Sequence, residues 1–300
     1  MKQYLILQKP VQKHKKTNTF TKKNIKQAKK VDTVKKQLLD RIFTFENLKN
    51  SYVFEEERRP APGIDKQTAF NFGLNLNNNL YTLKKELING YYKPISLLRI
   101  ETKDKKKPIF ITSFRDRLVQ RTIVRYLSTR WEKMFSNSSY AFRPGRSHQD
   151  AQKRVLQICQ TKPYIAIIDI KHFFESVSHL RLSEKLYNNL YCRRTVNLIM
   201  YILNYDNNLN KGLVRGFIIS PLLSNFYLND FDWQMTRTCQ IVRYCDDMAI
   251  MADSRKQLKE QLKKLKDILK YELLKIHRWK RQVTRYDKGF YFLGTYFKKA

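Results

Sequence analysis

Two apolar runs that each meet acids constrain this chain more than any other feature. In one, Ile241-Val242 leads into Tyr244-Cys245-Asp246-Asp247, and Met248-Ala249-Ile250-Met251-Ala252 leads away. Apolar residues in, two adjacent carboxylates, then apolar residues out: the pattern predicts two short strands joined at a tight corner. Adjacent carboxylates repel one another unless a cation sits between or beside them. An isolated Asp-Asp pair reads as a surface turn. The other run, Tyr164-Ile165-Ala166-Ile167-Ile168-Asp169, changes that reading. A buried strand delivering Asp169 beside a hairpin delivering Asp246 and Asp247 gathers three carboxylates at strand ends. Hard divalent cations prefer such oxygen sites. Two ions held this way activate an attacking oxygen and stabilise a leaving phosphate oxygen.

Charge points to the same partner class. Sixty Lys and Arg stand against 26 Asp and Glu, a formal net charge of +34 over 300 residues. Such a surplus calls for a polyanion, with nucleic acid the first reading and an anionic membrane surface the second. No run of about 18 apolar residues is present to cross a membrane, and the short apolar patch at residues 4–7 is too brief for a signal segment. Cys159, Cys192, Cys239 and Cys245 have no CxxC spacing. They read as buried thiols of a cytoplasmic protein. The apolar fraction of 42% supports one large domain or two to three subdomains sharing a core.

In chain order, residues 1–36 form a Lys-rich arm, either solvated or binding a polyanion. Residues 37–53 predict a first packed helix. A Pro62-Gly63 turn precedes a helix carrying Leu80, Leu83 and Leu87, which ends at Asn89-Gly90. Residues 91–100 predict a strand. The loop holding Lys103, Lys105, Lys106 and Lys107 then reads as a solvated hairpin or as a clamp for a triphosphate. Ser113 and Asp116 form a capping-box-like start to a helix that presents Arg115, Arg117, Arg121 and Arg125. Arg143 and Arg146 flank Pro144-Gly145 and read either as phosphate contacts or as part of a bland surface turn. Phe173 and Phe174 read as exposed. An aromatic five residues past the acid, Phe174, is placed to press on a sugar ring and exclude a 2′-hydroxyl. Residues 180–203 predict two helices, 211–216 a Gly-punctuated loop, and Ser220-Pro221 the start of an apolar helix. Leu258, Leu262, Leu265, Leu269 and Leu273 predict an amphipathic helix, and residues 289–297 an aromatic hairpin.

In this order the motifs resemble those of bacterial reverse transcriptases, the broad group that includes group II intron, retron, diversity-generating and phage-defence enzymes. The resemblance runs from about residue 60 to 297. It is carried by Ala61-Pro62-Gly63-Ile64-Asp65, Arg115-Asp116-Arg117-Leu118-Val119-Gln120, Ser139-Tyr140-Ala141-Phe142-Arg143-Pro144-Gly145-Arg146-Ser147, Asp169-Ile170-Lys171-His172-Phe173-Phe174, Ser220-Pro221-Leu222-Leu223-Ser224-Asn225, Tyr244-Cys245-Asp246-Asp247, Lys280 and Phe292-Leu293-Gly294. It implies an α+β right-hand polymerase fold. A basic arm (1–40) would precede a fingers subdomain (41–150) and a palm subdomain (151–297), with the thumb truncated or absent after 297. It implies RNA-directed DNA synthesis by nucleotidyl transfer on two Mg²⁺ ions, with Mn²⁺ a possible substitute.

The family roles fall on these positions as follows. Asp169 and Asp246 hold the metals with Asp247 near them, and Ile170 belongs with both the metal and the nucleotide. Lys103 and Lys107 neutralise the triphosphate; Lys107 stands where the family usually has Arg, so the bidentate fork is lost. Phe174 is the gate against ribonucleotides. Lys280 protonates or positions pyrophosphate. Phe292, Leu293 and Gly294 hold the primer end, while Arg115, Arg117, Arg143 and Arg146 contact nucleic acid. The implied partners are an RNA template, a DNA or RNA primer and dNTPs, with a dedicated structured RNA or an accessory protein as further candidates and no membrane.

The loop Gly212-Leu213-Val214-Arg215-Gly216-Phe217-Ile218 departs from the family's Gly-x-Pro-Gln-Gly pattern. A bulky Phe217 stands where a small residue packs under the templating base, so altered template handling is expected. Diversification and antiviral defence are both open as settings. A template-independent polymerase on the same scaffold and a non-catalytic RNA-binding protein are the alternative readings.

Overall fold

The computed structural model describes residues 37–95, 97–102, 105–204, 210–277 and 281–299. The basic arm at 1–36 lies outside the described residues. Helices α1 (Leu38–Ile42), α2 (Phe45–Glu57), α3 (Ala69–Gly73) and α4 (Leu76–Asn89) come first, followed by the hairpin β1 (Leu98–Thr102) and β2 (Lys105–Ile111) and the long α5 (Phe114–Trp131). Then come α6 (His148–Cys159), β3 (Tyr164–Asp169), the short α7 (Phe173–Ser176), α8 (His179–Leu190), α9 (Arg193–Leu203) and α10 (Ser220–Thr236). The chain closes through β4 (Gln240–Tyr244), β5 (Asp247–Ala252), α11 (Arg255–Tyr271), β6 (Gln282–Arg285) and the hairpin β7 (Phe290–Phe292) and β8 (Thr295–Phe297).

An antiparallel sheet in the order β4-β5-β3-β6 organises the second half of the chain. Because both of its faces are covered, β5 is apolar at successive positions instead of alternating. One face, carrying Ala166, Ile168, Met248 and Ile250, packs with α10 and α11. Helix α11 is amphipathic and buries Leu258, Leu262, Leu265 and Leu269, but Leu273, expected on the same stripe, lies past the helix end at φ 60° and is exposed. Helix α10 is buried on nearly all sides, so its interior polar residues Asn225, Asn229 and Asp232 need partners there. The opposite face, carrying Ile165, Val242, Ala249 and Met251, packs with Val155 and Ile158 of α6 and with Phe290 and Phe292 of the hairpin. The acids stand at the end of this second face.

The first half builds a helical layer around α5, where Tyr52, Phe72 and Phe114 form a ring cluster. At the far end of α5, Trp131 stacks on Phe226 of α10 with ring centroids 4.2 Å apart, joining the helical layer to the sheet layer. Such a ring pair contributes about 0.5–1.5 kcal/mol beyond its area burial.

Several local expectations hold: the tight corner between β4 and β5, the helix pair α8 and α9, α10, α11 and the terminal aromatic hairpin. All four cysteines are buried and none is in a disulfide. Among the described residues no helix is long and apolar enough to cross a membrane.

Others are corrected. The single helix expected over 37–53 is two, because Thr44 is extended and its side chain accepts from Asn47 N at 3.1 Å, starting α2 afresh. The strand expected over 91–100 begins only at Leu98. Gly90 ends α4 in the left-handed conformation, and Tyr91 N and Tyr92 N both donate to Glu86 O. The Tyr92 hydroxyl then donates to Asp116 at 2.6 Å and Ile95 N to the same carboxylate at 2.8 Å, so this segment is pinned to α5 and not to a sheet. The capping box expected at Ser113 is therefore half formed: its hydroxyl accepts from Asp116 N, but the Asp116 carboxylate turns to Tyr92 and Ile95. The complete box is Ser147 with Asp150. The Lys-rich stretch is mostly strand, since β2 begins at Lys105 opposite Thr102.

Candidate active site

The corner between β4 and β5 is closed by the pair Tyr244 and Asp247, leaving Cys245 and Asp246 at its tip. In the adjoining ladder Asp169, the last residue of β3, lies directly opposite Asp247. Residues opposite each other in an antiparallel pair share a face, so these two acids emerge together. The main chain continues the contact: Ile170 N donates to Asp246 O at 3.2 Å. On the other side, His277 N donates to Asp169 O at 2.8 Å and Lys171 N to Lys275 O at 2.7 Å. Asp169 is thus clamped between two segments, and it is 7% exposed, while Asp246 and Asp247 are half-buried.

Cys245 has φ 59°, the left-handed region, which costs a non-glycine residue about 1–2 kcal/mol. Burial pushes its thiol pKa well up, and the neighbouring Asp246 charge adds to the shift. What holds this corner is Arg243, 0% exposed in β4. Its Nε and Nη2 donate to the two Asp232 carboxylate oxygens at 2.7 and 2.5 Å. Its Nη1 donates to Asn225 Oδ1 at 3.2 Å and Cys245 O at 3.0 Å, and Nη2 also donates to Ser139 Oγ at 2.8 Å. All five N–H groups of the guanidinium are used. Burial raises the Asp232 carboxyl pKa, while the Arg243 charge pulls it back down. The motif reading passed over Arg243 and Asp232. The available signal was a charge inside an apolar strand and another inside an apolar helix, since buried charges come paired.

Beyond Asp169 the two phenylalanines part company. Phe173, expected to be exposed, is 1% exposed, whereas Phe174 is half-buried and meets it edge to face at 5.7 Å. His172 at φ 48° turns the chain there into α7, which sends one ring into the core. The loop at 211–217 packs on this turn: Leu213 N donates to Phe174 O at 2.6 Å and Gly212 N to Val177 O at 2.7 Å. Arg215 pairs with Glu175 at 3.4 Å and lies over the Phe174 ring at 5.8 Å. Phe110 N of β2 donates to Arg215 O at 3.1 Å, which anchors the Lys-bearing hairpin to the same loop. Lys107 belongs to β2; Lys103 and Lys280 lie outside the described residues. Phe217 is buried in the main core.

The four arginines assigned to nucleic acid are occupied by protein. Arg115 pairs with Glu86 and lies over Tyr92, and Arg117 donates to Ala61 O at 2.8 Å and lies over Phe114. Burial lowers the Arg117 pKa. Arg143 is not at a surface turn: its Nη1 donates to Ser136 O and Ser139 O, and its Nε and Nη2 to Glu132. Its charge is spent fastening the segment beside the β4–β5 corner, where Tyr140 N donates to Arg243 O. Arg146 donates to Asn137 and Ser139 and stays half-buried, with its pKa lowered by burial. A cluster of cationic side chains lies elsewhere. A cavity of about 1160 Å³ beside Asp169 is lined by Lys171, Lys266, Lys270, Lys275, His277 and Arg281 among others.

In the terminal hairpin Leu293 and Gly294 make the turn, at φ 50° and 77°. Phe292 is buried below them, and Gln152 of α6 donates to Leu293 O at 3.1 Å and Thr295 Oγ1 at 2.9 Å. Tyr291 and Tyr296 stay exposed with centroids 4.9 Å apart.

Among the described residues no three His, Cys, Asp or Glu side chains are gathered tightly enough, as they stand, to hold an ion. The donor chemistry nevertheless fits a hard divalent cation. The main chain brings Asp169, Asp246 and Asp247 to one strand end.

The model of the family described as "Reverse transcriptase (RNA-dependent DNA polymerase)" matches residues 84–297. Protein YkfC of Escherichia coli (strain K12) is 26% identical over 285 residues, covering 78% of this chain and 75% of that protein. The group II intron-encoded protein LtrA of Lactococcus lactis subsp. cremoris is 27% identical over 191 residues, covering 60% of this chain and 31% of that protein. A solved structure of apo telomerase from Candida tropicalis aligns with a TM-score of 0.49 at 12% identity, covering 73% of this chain and 58% of that one. The family match spans both strand-end acid motifs, the helices α7 to α10 between them and the terminal hairpin, and on that extent the chain is a member of the reverse transcriptase family.

Proposed function

We propose that this protein is an RNA-directed DNA polymerase that extends a primer on an RNA template, with residues 41–150 as fingers and 151–297 as palm. The observation that carries the reading is the register that sets Asp169 opposite Asp247, with Asp246 on the adjoining corner. Asp169 and Asp246 would hold divalent ions, Mg²⁺ first, with Asp247 and the Ile170 main chain beside them. Bound there, such ions lower the pKa of a primer hydroxyl and neutralise departing pyrophosphate.

The chain's own residues supply position. Phe174, backed by Phe173 and held by Leu213 and Arg215, presents an aromatic wall to the sugar of an incoming nucleotide. Lys103 and Lys107 would neutralise the triphosphate, and Phe110 N, further along β2, is tied to Arg215 O of the loop at 211–217. Lys280 serves the leaving pyrophosphate. Phe292, Leu293 and Gly294 seat the primer end, braced by Gln152. The net charge of +34 favours an A-form duplex held by its backbone.

Primer extension on a primed RNA with Mg²⁺ and either dNTPs or rNTPs tests the reading, with Asp246→Asn alongside. Templated extension by dNTPs that the substitution abolishes supports it. Extension unaffected by Asp246→Asn overturns the catalytic assignment, and a product unrelated to the template overturns the copying.

A further inference from the structure

We propose that Arg243 and Asp232 are positioning residues for nucleotidyl transfer: together they set the peptide that carries Asp246. This rests on the assignment of Asp246 as a metal ligand.

The left-handed residue Cys245 stands immediately before that acid. A non-glycine residue leaves this conformation unless its surroundings hold it. The Cys245 carbonyl accepts from Arg243 Nη1 at 3.0 Å, which fixes the plane of the Cys245–Asp246 peptide and hence the direction in which Asp246 departs. The Asp246 carbonyl is fixed from the other side by Ile170 N. The two peptide planes flanking Asp246 are therefore both tied, one to the guanidinium and one to the strand that delivers Asp169.

The guanidinium in turn is aimed. Asp232 grips it through two oxygens from α10, Asn225 takes a third bond one helical stretch earlier, and Ser139 a fourth from the loop before α6. Two segments, α10 and the loop before α6, converge on one planar group, and that group's remaining donor goes to the corner. Bringing two charges into a core is a poor way to gain stability, because desolvation offsets most of the attraction. A well-packed apolar pair would serve a purely structural need as well. The fork geometry supplies what an apolar pair lacks: a directed donor at the Cys245 carbonyl.

The experiment uses the full chain with wild type, Asp246→Asn, the paired substitution Arg243→Met with Asp232→Leu, and Arg243→Lys. The paired change removes both charges, so no buried ion is stranded. Arg243→Lys keeps the charge beside Asp232 but gives up the fork. Thermal unfolding is measured with single-nucleotide extension, separated into kcat, KM for dNTP and the Mg²⁺ concentration at half-maximal rate. Positioning predicts that variants which unfold within a few degrees of wild type lose kcat by about 30- to 100-fold, the range of a small misplacement of a reacting group. The KM for dNTP stays unchanged, and half-maximal rate needs several-fold more Mg²⁺. If the paired variant does not fold, Arg243→Lys alone carries the test. A folded variant with kcat within about threefold of wild type and unchanged Mg²⁺ demand overturns the proposal, leaving the pair a packing element. Full activity in Asp246→Asn would instead overturn the assignment of Asp246 on which the inference rests.

Discussion

Arg143 offers a direct contest between two physical roles. A surface arginine on a phosphate matters to binding and little to stability; a buried clamp does the reverse. Its side chain is 3% exposed, and its guanidinium reaches Glu132 Oε1 at 2.6 Å and the carbonyls of Ser136 and Ser139 at 2.5 and 2.9 Å. Arg143→Ala removes all of these. Each carbonyl keeps one weaker donor, Ser139 N for Ser136 and Arg146 for Ser139, so neither is fully stranded and each loss is worth about 0.5–1.5 kcal/mol. Glu132 is about one-third exposed and turns to water, which holds the ion-pair loss to about 1 kcal/mol. The expected destabilisation is roughly 2–4 kcal/mol, from the combination of these losses. Urea unfolding monitored by Trp fluorescence reads it as a lower midpoint at constant slope. Nucleic-acid affinity measured across a salt series should keep its slope, whereas loss of one phosphate contact lowers it by about 0.7–0.9. A stability change below about 1 kcal/mol together with a reduced salt slope would refute the clamp and restore the phosphate role.

Phe174→Ala should raise the ratio of rNTP to dNTP incorporation by at least about tenfold, because removing the ring leaves room for a 2′-hydroxyl; an unchanged ratio in competition assays removes Phe174 as the gate. Burial pushes the Cys159 thiol up to about 12 and Cys239 to about 11, from an ordinary 9.0. Below pH 9 both states hold these protons and no stability is lost. Above it the unfolded chain ionises first, so stability should fall between pH 9 and about 11–12, by up to about 1.4 kcal/mol per unit per thiol. Comparing urea midpoints of wild type and Cys159→Ala through that range checks this: equal slopes refute it.

What could be read in advance was what depends on near neighbours in sequence. The run ending in Asp169 and the corner at Asp246 are each complete within a few residues, and their pairing follows from apolar strands that need covering on both faces. The Leu repeat of α11 likewise names its own buried stripe. What could not be read depends on a partner far along the chain. Arg143 looks the same whether it faces solvent or Glu132. Strand β1 is short because Tyr92 finds Asp116 on a helix still to come. Phe173 and Phe174 are adjacent, and only the left-handed turn at His172 decides which is buried. Arg243 was legible as an oddity, a charge in an apolar strand, but its five acceptors come from segments scattered over a hundred residues of chain.

The pairing of β3 with β5 has a consequence for how such a molecule can fail. A strand that slips by one residue turns each of its side chains to the opposite face. Here a slip of β3 would drive Asp169 towards the α10 and α11 side and expose Ile168 in its place. The misaligned arrangement would strand a charge in hydrocarbon, so it has little chance of persisting. Correct assembly and chemical competence are thereby coupled: the carboxylate acts as an alignment key during folding. A preparation should therefore contain working molecules and unfolded ones, with few compact but inactive forms between them.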